Sequence, residues 1–135
     1  NNLISALHAG WKGAYKKILS TTLRKFKSSG SNFNDLIVVI GPCIGKNNYE
    51  VRNDFLDKFI KQERSNKKFF KTKRNKIYFS LTDYIKEQLL KFGVKNIEII
   101  KKDTYLLGNN FFSARRSIKN KLNDYGRNIS VIMIK

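Results

Sequence analysis

The side chains with chemical potential fall into three groups. His8, the only histidine, ends the apolar run Leu3–Leu7 and stands beside Ala9-Gly10, where small neighbours leave an imidazole accessible. Cys43, the only cysteine, lies in Gly41-Pro42-Cys43-Ile44-Gly45, a composition that bends backbone tightly and brings main chain close to a ligand. Strand ends that open into glycine-containing loops are where α/β proteins place ligands. Arg115-Arg116 follow the pair Phe111-Phe112, and Arg127 follows Gly126. Guanidinium forks match phosphate bidentately, so this cluster points to a phosphate or nucleotide-like ligand.

Each group also has a plain structural reading: an exposed or structural histidine, a small buried hydrophobe for Cys43, and solvated surface cations. If His8 and Cys43 act together, two chemistries are open. An imidazole within hydrogen-bonding reach of the sulfur would generate a nucleophilic thiolate; alternatively, both would ligate Zn²⁺. A protein zinc site takes at least three side-chain ligands. One His and one Cys would have to recruit Asp, Glu or another polypeptide.

The elements that position these residues alternate between strand and helix. Leu3–Leu7 reads as a strand, followed by a helix over 14–26 with Tyr15, Ile18, Leu19, Leu23 and Phe26 on one face and a stop at Ser28-Ser29-Gly30. Leu36–Ile40 is continuously apolar and β-branched, the pattern of a strand buried on both faces. A helix is predicted over 49–60, a basic surface excursion over 64–76 around Phe69-Phe70, and a helix from Ser80 to Phe92 ended by Gly93. Phe69 and Phe70 either stack on bases or pin the excursion to the core. Strands are predicted over 94–100 and 129–134. The expectation is a single α/β domain over 1–135.

Composition bounds the function. The 135 residues suit one domain. Lys+Arg 28 against Asp+Glu 10 give a net charge of +18, which suggests polyanionic ligands. Yet 21 of the 28 cations are lysines, and Lys, Asn and Ile make up 51 residues, the footprint of an AT-rich genome. Specific nucleic-acid binding is therefore not expected. A lone cysteine fits a reducing compartment, hence the cytoplasm, and no apolar run is long enough for a membrane span. The chain opens Asn1-Asn2-Leu3-Ile4 without Met, which predicts a processed product or a fragment.

His8-Ala9-Gly10-Trp11-Lys12-Gly13, Ile40-Gly41-Pro42-Cys43-Ile44-Gly45 with Tyr49-Glu50-Val51, Gly93-Val94, Phe111-Phe112-Ser113-Ala114-Arg115-Arg116 and Gly126-Arg127 together resemble, in order and spacing, the YfiH-like family. That family has been labelled laccase-domain or multicopper polyphenol oxidase and later purine nucleoside phosphorylase. The resemblance implies mixed sheets layered α/β/β/α, here without the N-terminal portion, because family members are roughly twice this length. It implies zinc-dependent phosphorolysis of adenosine, inosine, guanosine or methylthioadenosine, together with adenosine deamination. It implies zinc held by two His and one Cys, of which only the ligand matching His8 is present. Cys43 matches a motif beside the pocket and not the ligating cysteine.

By the same resemblance, Cys43, Arg115 and Arg116 take catalytic roles, and Trp11, Tyr49 and Arg127 line the substrate site. The partners implied are purine nucleosides, phosphate and the absent N-terminal segment, and this chain alone is expected to be inactive. Three departures stand out: Lys12 for the family's usual Arg, Asp103-Thr104 for Cys-Thr, and Ala114 for Tyr. A basic nucleic-acid-binding module and a degenerate, non-enzymatic remnant are the competing readings.

Overall fold

The computed structural model describes residues 2–134 and shows a mixed α/β chain. Its contacts divide it into two compact units, one of residues 2–40, 82–99 and 130–134, the other of residues 41–81 and 100–129.

In the first unit, helix α1 (Trp11–Tyr15) is followed by α2 (Ile18–Ser28). Leu19 and Leu23, four residues apart on α2, are both buried, as a helix with one apolar face requires. Gly30 lies at φ 84 beyond α2, a backbone conformation that glycine adopts without Cβ strain. Strand β1 (Ile37–Ile40) pairs in parallel with the strand Asn96–Ile99, matching Ile37 with Asn96 and Ile40 with Ile99. Helix Leu81–Lys91 buries Tyr84, Ile85 and Leu89, and the Gln88 amide donates to the carbonyl of buried Ala14 at 3.2 Å. Gly93, at φ 86, ends that helix, and the Val94 N–H reaches back to the Leu89 carbonyl.

The second unit contains strand β2 (Glu50–Val51), α3 (Asn53–Gln62), a 3₁₀ turn (Arg64–Phe69), β3 (Phe70–Lys73) and β4 (Lys76–Phe79). The helix Leu81–Lys91 is therefore α4 and the strand Asn96–Ile99 is β5; α5 (Ala114–Lys119) closes the series. The antiparallel sheet runs β2-β4-β3. Arg74 and Asn75 both adopt positive φ, the two-residue turn whose twist matches a hairpin. The core is aromatic: Phe59 and Phe79 are fully buried, with ring centroids 4.9 Å apart, and Phe55 stacks on Phe59 at 4.8 Å. Asn66 is buried and caps α3 by donating to the Phe59 carbonyl.

Several expectations are corrected. Residues 3–7 and 129–134 form no strand and are exposed; apolar, β-branched sequence makes a strand only when another edge pairs with its amides and carbonyls. The helix expected over 14–26 starts earlier, at Trp11, and breaks at Lys17, which sits at φ 62. The 49–60 helix starts at Asn53, because Glu50 and Val51 pair with Tyr78 and Ile77. The basic excursion is a 3₁₀ turn and a hairpin, with Phe69 buried and Phe70 packed on Phe79 at 4.8 Å. Its aromatics therefore serve the core and not base stacking. Strand β1 is not covered on both faces: Ile37 is 76% and Val39 52% exposed.

Phe79→Ala should cost about 3–5 kcal/mol by leaving a cavity among Tyr49, Phe55, Phe59 and Phe70. A Cβ on Gly93 would meet nothing within 4 Å, so Gly93→Ala should cost only the backbone strain of positive φ, about 1–2 kcal/mol. Urea midpoints measured at unchanged m-value test both.

Candidate functional site

The glycine-bounded loop around Cys43 is held to the Asp103 segment by main chain and side chain together. Cys43 and Asp103 form an isolated parallel bridge, and the Thr104 N–H donates to the Cys43 carbonyl at 3.0 Å. The Asp103 carboxylate accepts from the Asn48 side-chain amide at 2.7 Å and from the Tyr105 N–H at 2.8 Å. The Asn109 amide donates to the Asp103 carbonyl at 2.8 Å. A Cβ on Gly45 would run into the Asp103 carboxylate, which the Asn48 amide and the Tyr105 N–H hold in place, so a side chain there would force that carboxylate to shift.

Tyr49 follows this loop and is buried against Phe55 and Phe79. Burial pushes its phenol from 10.0 up to about 12, opposed by the Arg115 guanidinium and reinforced by Cys43. The phenol is therefore protonated at neutral pH. The Arg115 guanidinium lies 5.2 Å from the centre of the Tyr49 ring, and its Nη1 donates to the Glu50 carbonyl at 2.5 Å. The Cys43 sulfur is half-buried, 3.6 Å from the Ile44 carbonyl oxygen.

Arg115 and Arg116, adjacent in sequence, have different surroundings. Ser113 caps α5 by accepting from the Arg116 N–H at 3.3 Å. The Arg116 guanidinium donates to three carbonyls, those of Thr104 (3.0 Å), Tyr105 (2.8 Å) and Phe111 (2.6 Å). Its fork holds main chain together, whereas Arg115 has one guanidinium nitrogen bonded to Glu50. Arg127 packs over the Tyr125 ring at 4.0 Å, bonds the Tyr125 carbonyl and faces Asp124 at 3.9 Å, with both charged side chains largely in solvent. Such an exposed pair contributes little to stability.

His8 and Trp11 belong to the first unit. His8 is exposed, and a Cβ on Gly10 would stand 2.9 Å from its Nε2, so Gly10 leaves room for the imidazole. Trp11 opens α1 half-buried, with Lys12 Nζ 5.6 Å from its ring centre. Among the described residues no group of three or more His, Cys, Asp or Glu side chains could hold a metal ion. The residues present here therefore do not by themselves fit a zinc site. No helix is long and apolar enough to cross a membrane among the described residues.

Asn48 is a contributor that the sequence reading did not single out, whereas Gly45 belongs to the tightly bent, glycine-bounded loop of that reading and does meet a close neighbour. Asp103 entered it only as a departure from the family pattern. The Asp103-Thr104-Tyr105 run carried one usable signal, since Asp side chains commonly accept from the N–H two residues on.

Arg116→Ala should destabilise the chain by at least about 2 kcal/mol, because three carbonyls lose a charged donor, and Arg116→Lys should recover only part of this. Chemical denaturation checks both. Tyr49 should make stability pH-dependent: its contribution is fully present below pH 10.0 and is lost as pH rises through about 12. Unfolding free energies measured across that window should fall for the parent and show a shallower fall for Tyr49→Phe.

A family model described as multi-copper polyphenol oxidoreductase laccase matches residues 1–135. The purine nucleoside phosphorylase of Rickettsia conorii is 38% identical over 117 residues, 85% of this chain and 48% of the relative. That of Rickettsia prowazekii is 34% identical over 135 residues, 98% of this chain and 55% of the relative. In structure, the chain is similar to the Bacillus licheniformis hypothetical protein YfiH, with a TM-score of 0.72 at 32% identity, covering 82% of this chain and 43% of that one. The chain thus spans about half the length of the curated relatives it matches. The family match runs through every motif singled out above, from His8-Ala9-Gly10-Trp11 to Gly126-Arg127, and the chain belongs to the YfiH-like laccase-domain family.

Proposed function

We propose that this chain is part of a purine nucleoside phosphorylase acting on adenosine, inosine, guanosine or methylthioadenosine, with adenosine deamination as a second activity of the whole protein. The observation that carries this reading is the similarity, over 85–98% of the chain, to two proteins that bear that name. The lone thiol fits a cytoplasmic setting.

In phosphorolysis a phosphate oxygen forms a bond to C1′ of the ribose while the electron pair of the C1′–N bond leaves with the purine. The second unit offers groups suited to that charge movement. Arg115, with one nitrogen on Glu50, keeps donors for a phosphate oxygen and lies by the neutral phenol of Tyr49. The Arg116 guanidinium is occupied by three carbonyls and supports the loop between Thr104 and Phe111, so of the adjacent pair Arg115 is the better phosphate ligand. Cys43 and Tyr49 belong to the same loop of the second unit, while Trp11 and Arg127 enter this reading only through their match to the family's motifs. Zinc belongs to this reading through His8 alone, with its remaining ligands outside the residues described here, and no step is assigned to it.

In the complete protein, Arg115→Ala should raise the phosphate KM at least tenfold, while Arg127→Ala should change it less than threefold. Release of hypoxanthine from inosine and phosphate is the assay; no release by the complete protein would refute the reading. This chain alone should bind no stoichiometric zinc at micromolar metal, and equilibrium dialysis finding one tight zinc lost in His8→Ala would contradict it. Its exposed cations over 64–76 should give only salt-labile attraction to duplex DNA, gone by about 0.2 M salt. Tight binding that survives there would favour a nucleic-acid module instead.

A further inference from the structure

The positive charge of this chain is not spread evenly. Residues 64–76 hold seven cations in 13 positions and no carboxylate, more than twice the density of the whole chain, 28 in 135. A compositional bias acting everywhere does not explain such a local concentration. The second unit places part of it on a sheet edge. In the order β2-β4-β3, strand β3 is hydrogen-bonded on one side only among the described residues, and residues 71–76 are all exposed. Lys73 pairs with Lys76 across the two-residue turn, and Lys71 with Tyr78. Antiparallel pairs alternate between hydrogen-bonded and non-bonded, and the pair flanking a two-residue turn is a bonded one. The main-chain groups of Lys71 and Lys73 therefore turn to β4. Those of Thr72 and the Phe70 carbonyl face outward, while the Phe70 N–H is directed to the Lys67 carbonyl.

Side chains alternate along β3 as well. Phe70 points into the aromatic core, 4.8 Å from Phe79 between ring centroids, so Lys71 and Lys73 share the opposite face. Lys76 is answered by Glu50 at 2.9 Å, whereas Lys71 and Lys73 meet no carboxylate among the described residues. A strand edge with free main-chain groups takes another strand, and two unanswered cations two residues apart select carboxylates at alternate positions of that strand. Other polyanions fit this edge less well. Phe69 and Phe70 are turned inward and offer bases no stacking surface. The exposed run Lys71-Thr72-Lys73-Arg74-Asn75-Lys76 holds nothing apolar to enter a bilayer. Lysines on an edge also repel a second copy of the same edge. We propose that the outer edge of β3 is a docking site for an acidic, extended segment of a partner protein, which pairs with the main chain at Thr72 and sets carboxylates against Lys71 and Lys73. Because Phe69 and Phe70 anchor the strand in the core, the edge is fixed before the partner arrives, and little ordering opposes binding. The site does not depend on which reaction the whole protein performs.

The probe is a short, end-capped, fluorescently labelled peptide in which Glu and Thr alternate. Its controls are a peptide of the same composition with all Glu before all Thr, and the alternating peptide N-methylated throughout. By anisotropy, this chain should bind the alternating peptide at least tenfold more tightly than either control. At saturating peptide the Thr72 amide should exchange at least tenfold more slowly, a larger change than at Lys71 or Lys73. Lys71→Glu with Lys73→Glu should weaken binding at least tenfold. Arg24→Glu with Lys25→Glu, the same change of charge at exposed positions of α2, should weaken it less than threefold. Thr72→Pro removes the outward N–H and no cation, and proline is tolerated where a strand's N–H faces solvent. It should weaken peptide binding at least tenfold and leave the salt-labile attraction to DNA unchanged. If that variant unfolds by circular dichroism, the N-methylated peptide decides, since it removes the same main-chain bonds without altering the chain. No binding, equal affinity for the alternating and blocked peptides, an unprotected Thr72 amide, or equal weakening by the two charge reversals would overturn the proposal. So would single-stranded DNA or phosphatidylserine vesicles that bind more tightly than the peptide and depend equally on Lys71 and Lys73, which would assign the edge to nucleic acid or to a membrane.

Discussion

One guanidinium holds the second unit's loops in place. Arg116 donates to the carbonyls of Thr104, Tyr105 and Phe111, which belong to a segment with little regular structure. Carbonyls withdrawn from water need donors, and in irregular backbone they must come from side chains. A planar cation with several N–H groups can serve all three at once, which an ammonium on a flexible stem does less well. From this anchor the order passes outward. The Asp103 segment meets Cys43 through main chain, Asp103 holds Asn48, and the next residue is Tyr49, whose ring lies under Arg115. The loop suited to meeting a ligand is thus positioned by polar contacts, while the aromatic cluster beneath it is positioned by burial.

Division of labour between neighbours follows from this arrangement. Arg115 and Arg116 are consecutive on a helix, so they point about 100° apart. One side chain is directed to the carbonyls of the preceding loop and the other to Tyr49 and Glu50. The Tyr49 phenol stays neutral because burial outweighs the neighbouring cation. A neutral donor beside a guanidinium is a reasonable environment for an anion, since the cation supplies charge and the phenol adds none of the opposite sign.

In the first unit the governing fact is the mismatch between sequence character and exposure. Strand β1 has the composition of a buried strand, and its outer face is open. Helical burial is more local: Leu19 and Leu23 on α2, and Tyr84, Ile85 and Leu89 on α4, are buried as their spacing leads one to expect. A helix satisfies its own hydrogen bonds, whereas a strand depends on residues far away or on another polypeptide.

That difference also separates what was readable in advance from what was not. The sequence by itself determined α4 and its Gly93 stop, the apolar faces of α2 and α3, the existence of a strand within 36–40 though not the cover of its faces, and the motif series by which the family is known, because periodicity, caps and glycine positions act over a few residues. Only the tertiary structure decided that 3–7 and 129–134 stay unpaired, that Phe69 and Phe70 turn inward, that Arg116 is committed to carbonyls while Arg115 faces Tyr49, and that Asp103 and Asn48 brace the Cys43 loop. Each of those outcomes depends on which distant group supplies a hydrogen-bond partner or a covering surface, and residue type alone carries no record of that partner.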